Sequence, residues 1–464
     1  MTSQSYFSLL LTLAKMTQKI TTEFNEKGQI RKIKMPYLKE KITRFEYKEG
    51  SIARQWSYEQ IVKEEWVWED LVRIIAPEAK KLESFPKSVQ QLSEVFKVDV
   101  TQAEFWVSRF VDVIAKETLE NANEDRIAEL TFSFVRDLEG SPRTWSPRLW
   151  LKGIWMVDDV VEVSESLRFT KPAAVDLERE WNLRMFPFFY ENWLRNDPSA
   201  ILDVSFRAKN QPEMQKEIEK LMLVLRLFRV GSVSNVRTVW KSESILEFGV
   251  GGVSFGGLLS ESYKYSLSKA DVPKLKEFFE KIIPLIPPNL YDPAIKPVDY
   301  SVIAVQRYND AISKPEIFES RLSFAIMALE ALYLKENERE ELEHRLSQRL
   351  ARLLSFCRYE PIEVYNTMKE SYGLRSSFVH GSPIPEEKLK GIAKMGQEVI
   401  EYARLSIVLF LLLKQVTEKD KFLSLIDHSL LSENAVDKLD KTLKEHCTIC
   451  LVQDLRSTEA TSKP

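Results

Sequence analysis

The chain has 464 residues, of which 44% are apolar, 11% aromatic and 29% charged; this excludes a disordered or collagen-like chain and, at roughly 150 residues per domain, fits a multidomain protein. Lys and Arg number 66 against 69 Asp and Glu, and the net charge of −3 excludes binding of nucleic acid through bulk charge while leaving room for a local basic cleft. Three cysteines (Cys357, Cys447, Cys450) are too few for a disulfide framework, and the densest apolar runs, Tyr6–Ala14 and Leu405–Leu413, fall short of the about twenty residues of a membrane span. With no basic leader or cleavage site around the first run, the expectation is a cytoplasmic protein without a membrane partner.

All ten tryptophans lie between Trp56 and Trp240, whereas nine of the fourteen glycines lie beyond it, five of them within Gly249–Gly257. This shift predicts separately built regions in an α+β multidomain fold. Residues 1–150 read as a mainly helical, Trp-rich region, with apolar residues at three- and four-residue spacings over Trp56–Ile75, Thr101–Lys116 and Asn121–Leu138. Residues 151–297 read as mixed α/β. Strands are predicted at Ile154–Val157, Val160–Val163, Ile201–Phe206, Val233–Val239 and Ser244–Val250, with helices at Glu213–Phe228 and Val272–Ile286 and a proline-spaced linker to Pro297. Residues 298–430 read as an all-α bundle, with helices at Ser301–Asp310, Pro315–Tyr333, Glu338–Cys357, Pro361–Gly373, Glu387–Gln415 and Asp420–His428. Residues 431–464 read as a helical tail with a frayed end.

Several clusters invite a chemical reading. Gly252-Val253-Ser254-Phe255-Gly256 has the spacing of a nucleophile elbow, a serine hydrolase reading, but equally that of a glycine-rich hairpin tip. His446-Cys447-Thr448-Ile449-Cys450 is half of a zinc site without its second half, and reads as a tail with incidental thiols. No metal or other cofactor is expected. Trp66 and Trp68, or Trp145, Trp150 and Trp155, form either a stacking platform or core filler.

The most informative stretch runs from Tyr372 to Gly381 and places Arg375 five residues before His380. The bare spacing recurs at Arg339 and His344 among glutamates; Arg375 and His380 instead flank the apolar Phe378-Val379 and precede a helix-ending Gly381-Ser382-Pro383. Such an arrangement projects a guanidinium and an imidazole together from a helix end.

From about Arg321 to Gln415 the sequence resembles the HEPN domain, specifically the Apea-like HEPN group. The likeness is carried by Phe324 to Leu332 with its embedded Ala-Leu-Glu-Ala-Leu, by His344 to Leu354, by the Arg-x4-His-Gly of Arg375 to Gly381, and by Tyr402-Ala403-Arg404 in the long last helix. Upstream, Leu225 to Gly231 resembles a segment often found before this domain. Ser376 stands where many active members carry Asn, Asp or His, a departure frequent in the Apea-like group.

The resemblance implies a C-terminal HEPN-like bundle acting as a metal-independent endoribonuclease on single-stranded RNA, as a homodimer whose two Arg–His pairs line one cleft. It further implies a toxin or antiviral defence effector, held back until a ligand or protein engages the N-terminal region. The residue types suit that chemistry: an imidazole such as that of His380 can move protons, while Arg375 offers a planar cation to phosphate oxygens. Tyr372, Ser376 and Glu330 are the supporting residues. Glu330 sits in an apolar helical run, where it either pairs with Arg375 or faces solvent. Arg345, Arg349 and Arg352 recur at i, i+4 and i+7, a stripe that either tracks an RNA backbone or pairs with nearby glutamates. The competing function is a non-catalytic HEPN scaffold or sensor that binds a protein or small ligand.

Overall fold

The computed structural model describes residues 3–48, 51–120, 123–178, 180–182, 198–240, 253–254, 263–287, 290, 299–313, 318–379 and 386–451. The N-terminal region is built on helices α1 (Ser3–Glu26), α2 (Trp68–Asp70 continuing through Leu71–Ile75 to Ala76–Lys80), α3 (Ser84–Phe96), α4 (Val100–Glu120) and α5 (Glu124–Leu138). Their apolar stripes meet in one core that includes Leu10, Leu13, Leu92, Val107, Phe110, Ile127 and Phe134, with the Phe110 and Phe134 rings stacked at 4.5 Å.

Between α1 and α2 the chain runs out and back as a long ribbon, β1 (Lys32–Lys48) and β2 (Ser51–Trp66), paired antiparallel from Lys32–Trp66 to Lys48–Ser51 with a bulge at Ile42/Arg44. The helix expected over Trp56–Ile75 is therefore corrected in its first half. Half-buried Ile52, Arg54 and Trp56 alternate with exposed Ala53, Gln55 and Ser57, a period of two, and helical turns begin only at Trp68. A buried ion pair, Glu40–Arg54 at 3.0 Å, ties the two strands together out of register, Glu40 lying opposite Tyr58 and Arg54 opposite Phe45. The far end of the ribbon reaches the middle region: the Tyr47 hydroxyl donates to the Ser199 carbonyl (2.7 Å) and accepts from the Met156 amide (2.8 Å), with its ring 5.2 Å from that of Trp155.

The middle region contains β3 (Arg143–Trp145), β4 (Arg148–Lys152), β5 (Ile154–Met156), β6 (Val160–Ser164), β7 (Leu167–Thr170), α6 (Ala174–Leu177), β8 (Glu180–Asn182), β9 (Ala200–Val204), β10 (Phe206–Ala208), α7 (Gln211–Phe228), β11 (Ser234–Val239), β12 (Val253–Ser254), β13 (Tyr265–Leu267) and α8 (Val272–Ile282). Six strands form an antiparallel sheet in the order β12-β11-β4-β9-β7-β6, and β5 pairs in parallel with β13. The alternating residues Leu149, Leu151, Val161, Phe169 and Leu202 share a core with α7. Asn210 caps that helix by accepting from the Glu213 amide at 2.9 Å. The strand expected at Ser244–Val250 and most of the linker to Pro297 lie outside the described residues.

The C-terminal bundle comprises α9 (Tyr300–Ser313), α10 (Phe318–Tyr333), α11 (Leu342–Ser355), α12 (Pro361–Val379), α13 (Glu386–Leu413), α14 (Lys419–Ser429), α15 (Glu433–His446) and α16 (Thr448–Leu451). One buried cluster runs from Trp145 to Cys450, so the middle region and the bundle share a core, while the N-terminal helices keep their own. The fold is α+β, with its C-terminal part helical. Among the described residues no helix is long and apolar enough to cross a membrane.

Candidate functional site

The α10 helix buries Leu322, Ala325, Ile326, Leu329 and Leu332 and leaves Glu330 at the edge of that stripe in its last turn. Helix α12 starts at Pro361, a residue suited to a first helical position, and buries Val364, Met368, Ser371 and Leu374 at spacings of four and three. This stripe carries the helix past Gly373, where it was expected to stop, so Arg375 belongs to a regular helix. Gly373 has a φ in the ordinary range and open space at its Cβ position, so nothing breaks the helix there.

Tyr372 and Arg375, three residues apart, reach the same carboxylate. Arg375 Nη1 donates to Glu330 Oε1 at 2.7 Å and the Tyr372 hydroxyl donates to the same oxygen at 2.8 Å, with the guanidinium 5.5 Å from the tyrosine ring. Burial first, and then the bond to Glu330, push the Tyr372 phenol up to about 12, so it stays a neutral donor. The Arg375 and Glu330 side chains are 23% and 21% exposed, which leaves this cluster reachable from solvent. Only one of the five N–H donors of a guanidinium goes to Glu330. Of the two readings of Glu330, the pairing with Arg375 is the one found. Ser376 is exposed beside it. His380 lies outside the described residues, as do Gly381, Ser382 and Pro383.

The expected arginine stripe is not a free surface. Arg349, its side chain 2% exposed, spends all five donors inside: Nη1 on Glu338 Oε2 (2.8 Å) and the Tyr333 carbonyl (2.7 Å), Nη2 on Glu338 Oε1 (2.6 Å) and Asp427 Oδ2 (2.9 Å), and Nε on Asp427 Oδ1 (2.7 Å). Burial works to raise the Glu338 carboxyl, but the Arg349 hydrogen bonds outweigh it and hold that group down at about 2. Arg352 donates to the Ser429 carbonyl and hydroxyl, both at 3.1 Å, and Arg345 lies 3.5 Å from Glu338 and 3.8 Å from Glu341. Backbone tracking by Arg349 is thus corrected to internal anchoring, because the helix turns it into the bundle.

Sequence reasoning passed over a second buried arginine. The last four carbonyls of α7 have no partner within the helix. Leu225 O accepts from the Tyr265 hydroxyl (3.1 Å), Arg226 O from the Tyr308 hydroxyl (2.8 Å), and Leu227 O and Phe228 O from Arg404 Nη1 (2.6 and 3.1 Å). Arg404 also binds Glu401 through Nε (2.7 Å) and Nη2 (2.5 Å). The signal was present: a Glu and an Arg three residues apart inside an otherwise apolar helix. The segment Leu225 to Gly231, singled out as a companion of the bundle, is joined to it by these bonds.

Other candidates resolve into structure. Trp145 is fully buried and donates to the Ala208 carbonyl at 3.0 Å, Trp150 and Trp155 are buried, and Trp66 and Trp68 pack on the α2 core, so these rings are filler. Val253–Ser254 pairs with Thr238–Val239 in an antiparallel ladder; the rest of the Gly252–Gly256 motif lies outside the described residues. Cys447 and Cys450 are packed into the core near Cys357, which corrects the expected loose tail; burial pushes the Cys357 and Cys447 thiols up to about 12. Among the described residues, no group of His, Cys, Asp and Glu is placed to hold a metal ion.

Set against protein-family models, curated proteins and solved structures, the chain matches none of them. The likeness to the HEPN domain thus rests on the residues quoted for it.

Proposed function

We propose that the C-terminal bundle is a metal-independent endoribonuclease acting on single-stranded RNA. The observation that carries this reading is the Glu330–Arg375–Tyr372 cluster, in which a guanidinium is held at one nitrogen and stays reachable from solvent. A cation fixed in this way meets a phosphate with little loss of side-chain freedom, which is what stabilising a phosphorane requires. His380 then takes the proton from the attacking 2′-hydroxyl, and a second imidazole returns one to the leaving 5′-oxygen. One such histidine per chain makes that second imidazole a partner copy's, so a two-fold dimer is part of the proposal. The product is a 2′,3′-cyclic phosphate. The middle region, joined to the bundle through α7, and the N-terminal region, joined to the middle one through the ribbon, would hold it back until a ligand or protein engages the N-terminal region, as a toxin or antiviral effector requires.

The test is incubation of the purified full chain with single-stranded RNA in EDTA beside the His380→Ala variant. Cleavage to cyclic phosphate ends by the native chain alone supports the nuclease. Equal cleavage by both, or cleavage only with added metal, overturns it.

A further inference from the structure

A second cationic site lies at the same end of α10. A cavity of about 510 Å³ opens between the start of α9, the end of α13 and the start of α14, lined by Tyr300, Lys414, Thr417, Glu418, Lys419 and Lys421 among others. That volume falls within the usual range of small-ligand sites. The Lys414 and Lys419 ammonium groups stand over the Tyr300 ring at 5.7 and 5.3 Å, within cation–π range, which orders both at the rim. Lys419 also donates to the Ala331 carbonyl at 2.7 Å, and burial lowers its proton affinity from the ordinary lysine value. Acids stand around these lysines: Asp299 binds Lys414, Glu418 lies 3.8 Å from Lys421 with both side chains largely exposed, and Asp420, Glu338 and Glu336 act on Lys419. Of the charged side chains that line the cavity itself, three are lysines and one is the Glu418 carboxylate.

Glu330 and Ala331 are consecutive residues of the last α10 turn. One holds Arg375 by its side chain and the other holds Lys419 by its carbonyl, so the two cations are anchored on adjacent residues. We propose that this lysine-lined cavity binds phosphate groups, as a second anion site at the end of α10 that also holds Arg375. The ligand chemistry is a phosphate ester or polyphosphate, from either a free nucleotide or the backbone of an RNA strand. Only the RNA source rests on the nuclease reading.

The test uses the full chain carrying His380→Ala, so that RNA binding is read without cleavage. Inorganic pyrophosphate is titrated by calorimetry and a labelled single-stranded oligoribonucleotide by fluorescence anisotropy. Lys421→Glu changes an exposed side chain that nothing in the core depends on, and Lys419→Met removes the buried cation. Pyrophosphate binding that weakens about tenfold in each variant, and weakens with added salt, is the expected result. A parallel loss in the RNA titration assigns the source to an RNA strand; RNA binding unchanged beside lost pyrophosphate binding assigns it to a free nucleotide. No pyrophosphate binding by the parent chain, or equal affinity in parent and Lys421→Glu, overturns the site whether or not the native chain cleaves RNA.

Discussion

Replacing Arg349 with methionine separates a buried anchor from an RNA-tracking arginine. Methionine keeps much of the stem volume but removes five donors, leaving Asp427 without this cation, Glu338 (side chain 10% exposed) with only the longer Arg345 contact at 3.5 Å, and the Tyr333 carbonyl without its Arg349 donor. Removing one member of a buried ion pair costs about 3–5 kcal/mol, because the remaining charge stays behind. With a urea m-value of about 2 kcal/mol/M, the unfolding midpoint falls by about 2 M. The pH dependence gives a second reading. Glu338 is held at about 2 in the folded chain against an ordinary 4.5, so its contribution is complete above about 4.5 and is lost as pH falls through about 2. That difference corresponds to about 3 kcal/mol, and Arg349→Met should flatten the acid limb accordingly. Adding Glu338→Gln to Arg349→Met should recover part of the loss by removing one stranded charge. An Arg349→Met chain with native stability and weakened RNA binding would refute the buried-anchor account and restore the stripe.

The remaining expectations are shorter. Glu330→Gln keeps shape but frees Arg375; stability should change by less than about 1 kcal/mol, since the pair is partly exposed, while kcat for RNA cleavage falls at least about tenfold with a smaller change in KM. Arg375→Lys should not rescue cleavage, because a point charge cannot reproduce the planar donor edge. Arg404→Leu strands Glu401 and two α7 carbonyls at the junction of middle region and bundle, and should lower stability by about 3–5 kcal/mol in urea titration. The three cysteines should react with a thiol reagent only after denaturation, being buried with two of their thiols raised to about 12; a thiol labelled in the native chain would contradict the packed tail.

What the sequence made legible follows from how local each signal is. Glu330 was readable because a carboxylate in an apolar helical run needs a partner, and the one arginine in the Tyr372–Gly381 stretch supplied it at 2.7 Å. The same logic, applied to Glu401 and Arg404 in the apolar stretch of α13, would have found the α7 anchor, but its acceptors are backbone carbonyls more than a hundred residues upstream, which leave no mark in side-chain pattern. Arg345, Arg349 and Arg352 show the converse limit. A periodic stripe fixes which residues share a helix face, yet whether that face meets solvent depends on α14, whose Asp427 and Ser429 close over it. The ribbon was misread for a third reason. In a two-stranded ribbon half of each strand is exposed, so Tyr58, Val62 and Trp66, four residues apart, also fit helical spacing, and the Glu49-Gly50 dipeptide between two alternating runs was the stronger clue. The Arg375 cluster therefore has the most direct physical warrant of the candidate sites. Its charge and one of the two readings of its partner were implied by neighbouring residues, its helix runs on past the expected stop at Gly373, and its solvent access is what distinguishes it from the sealed arginines at 349 and 404.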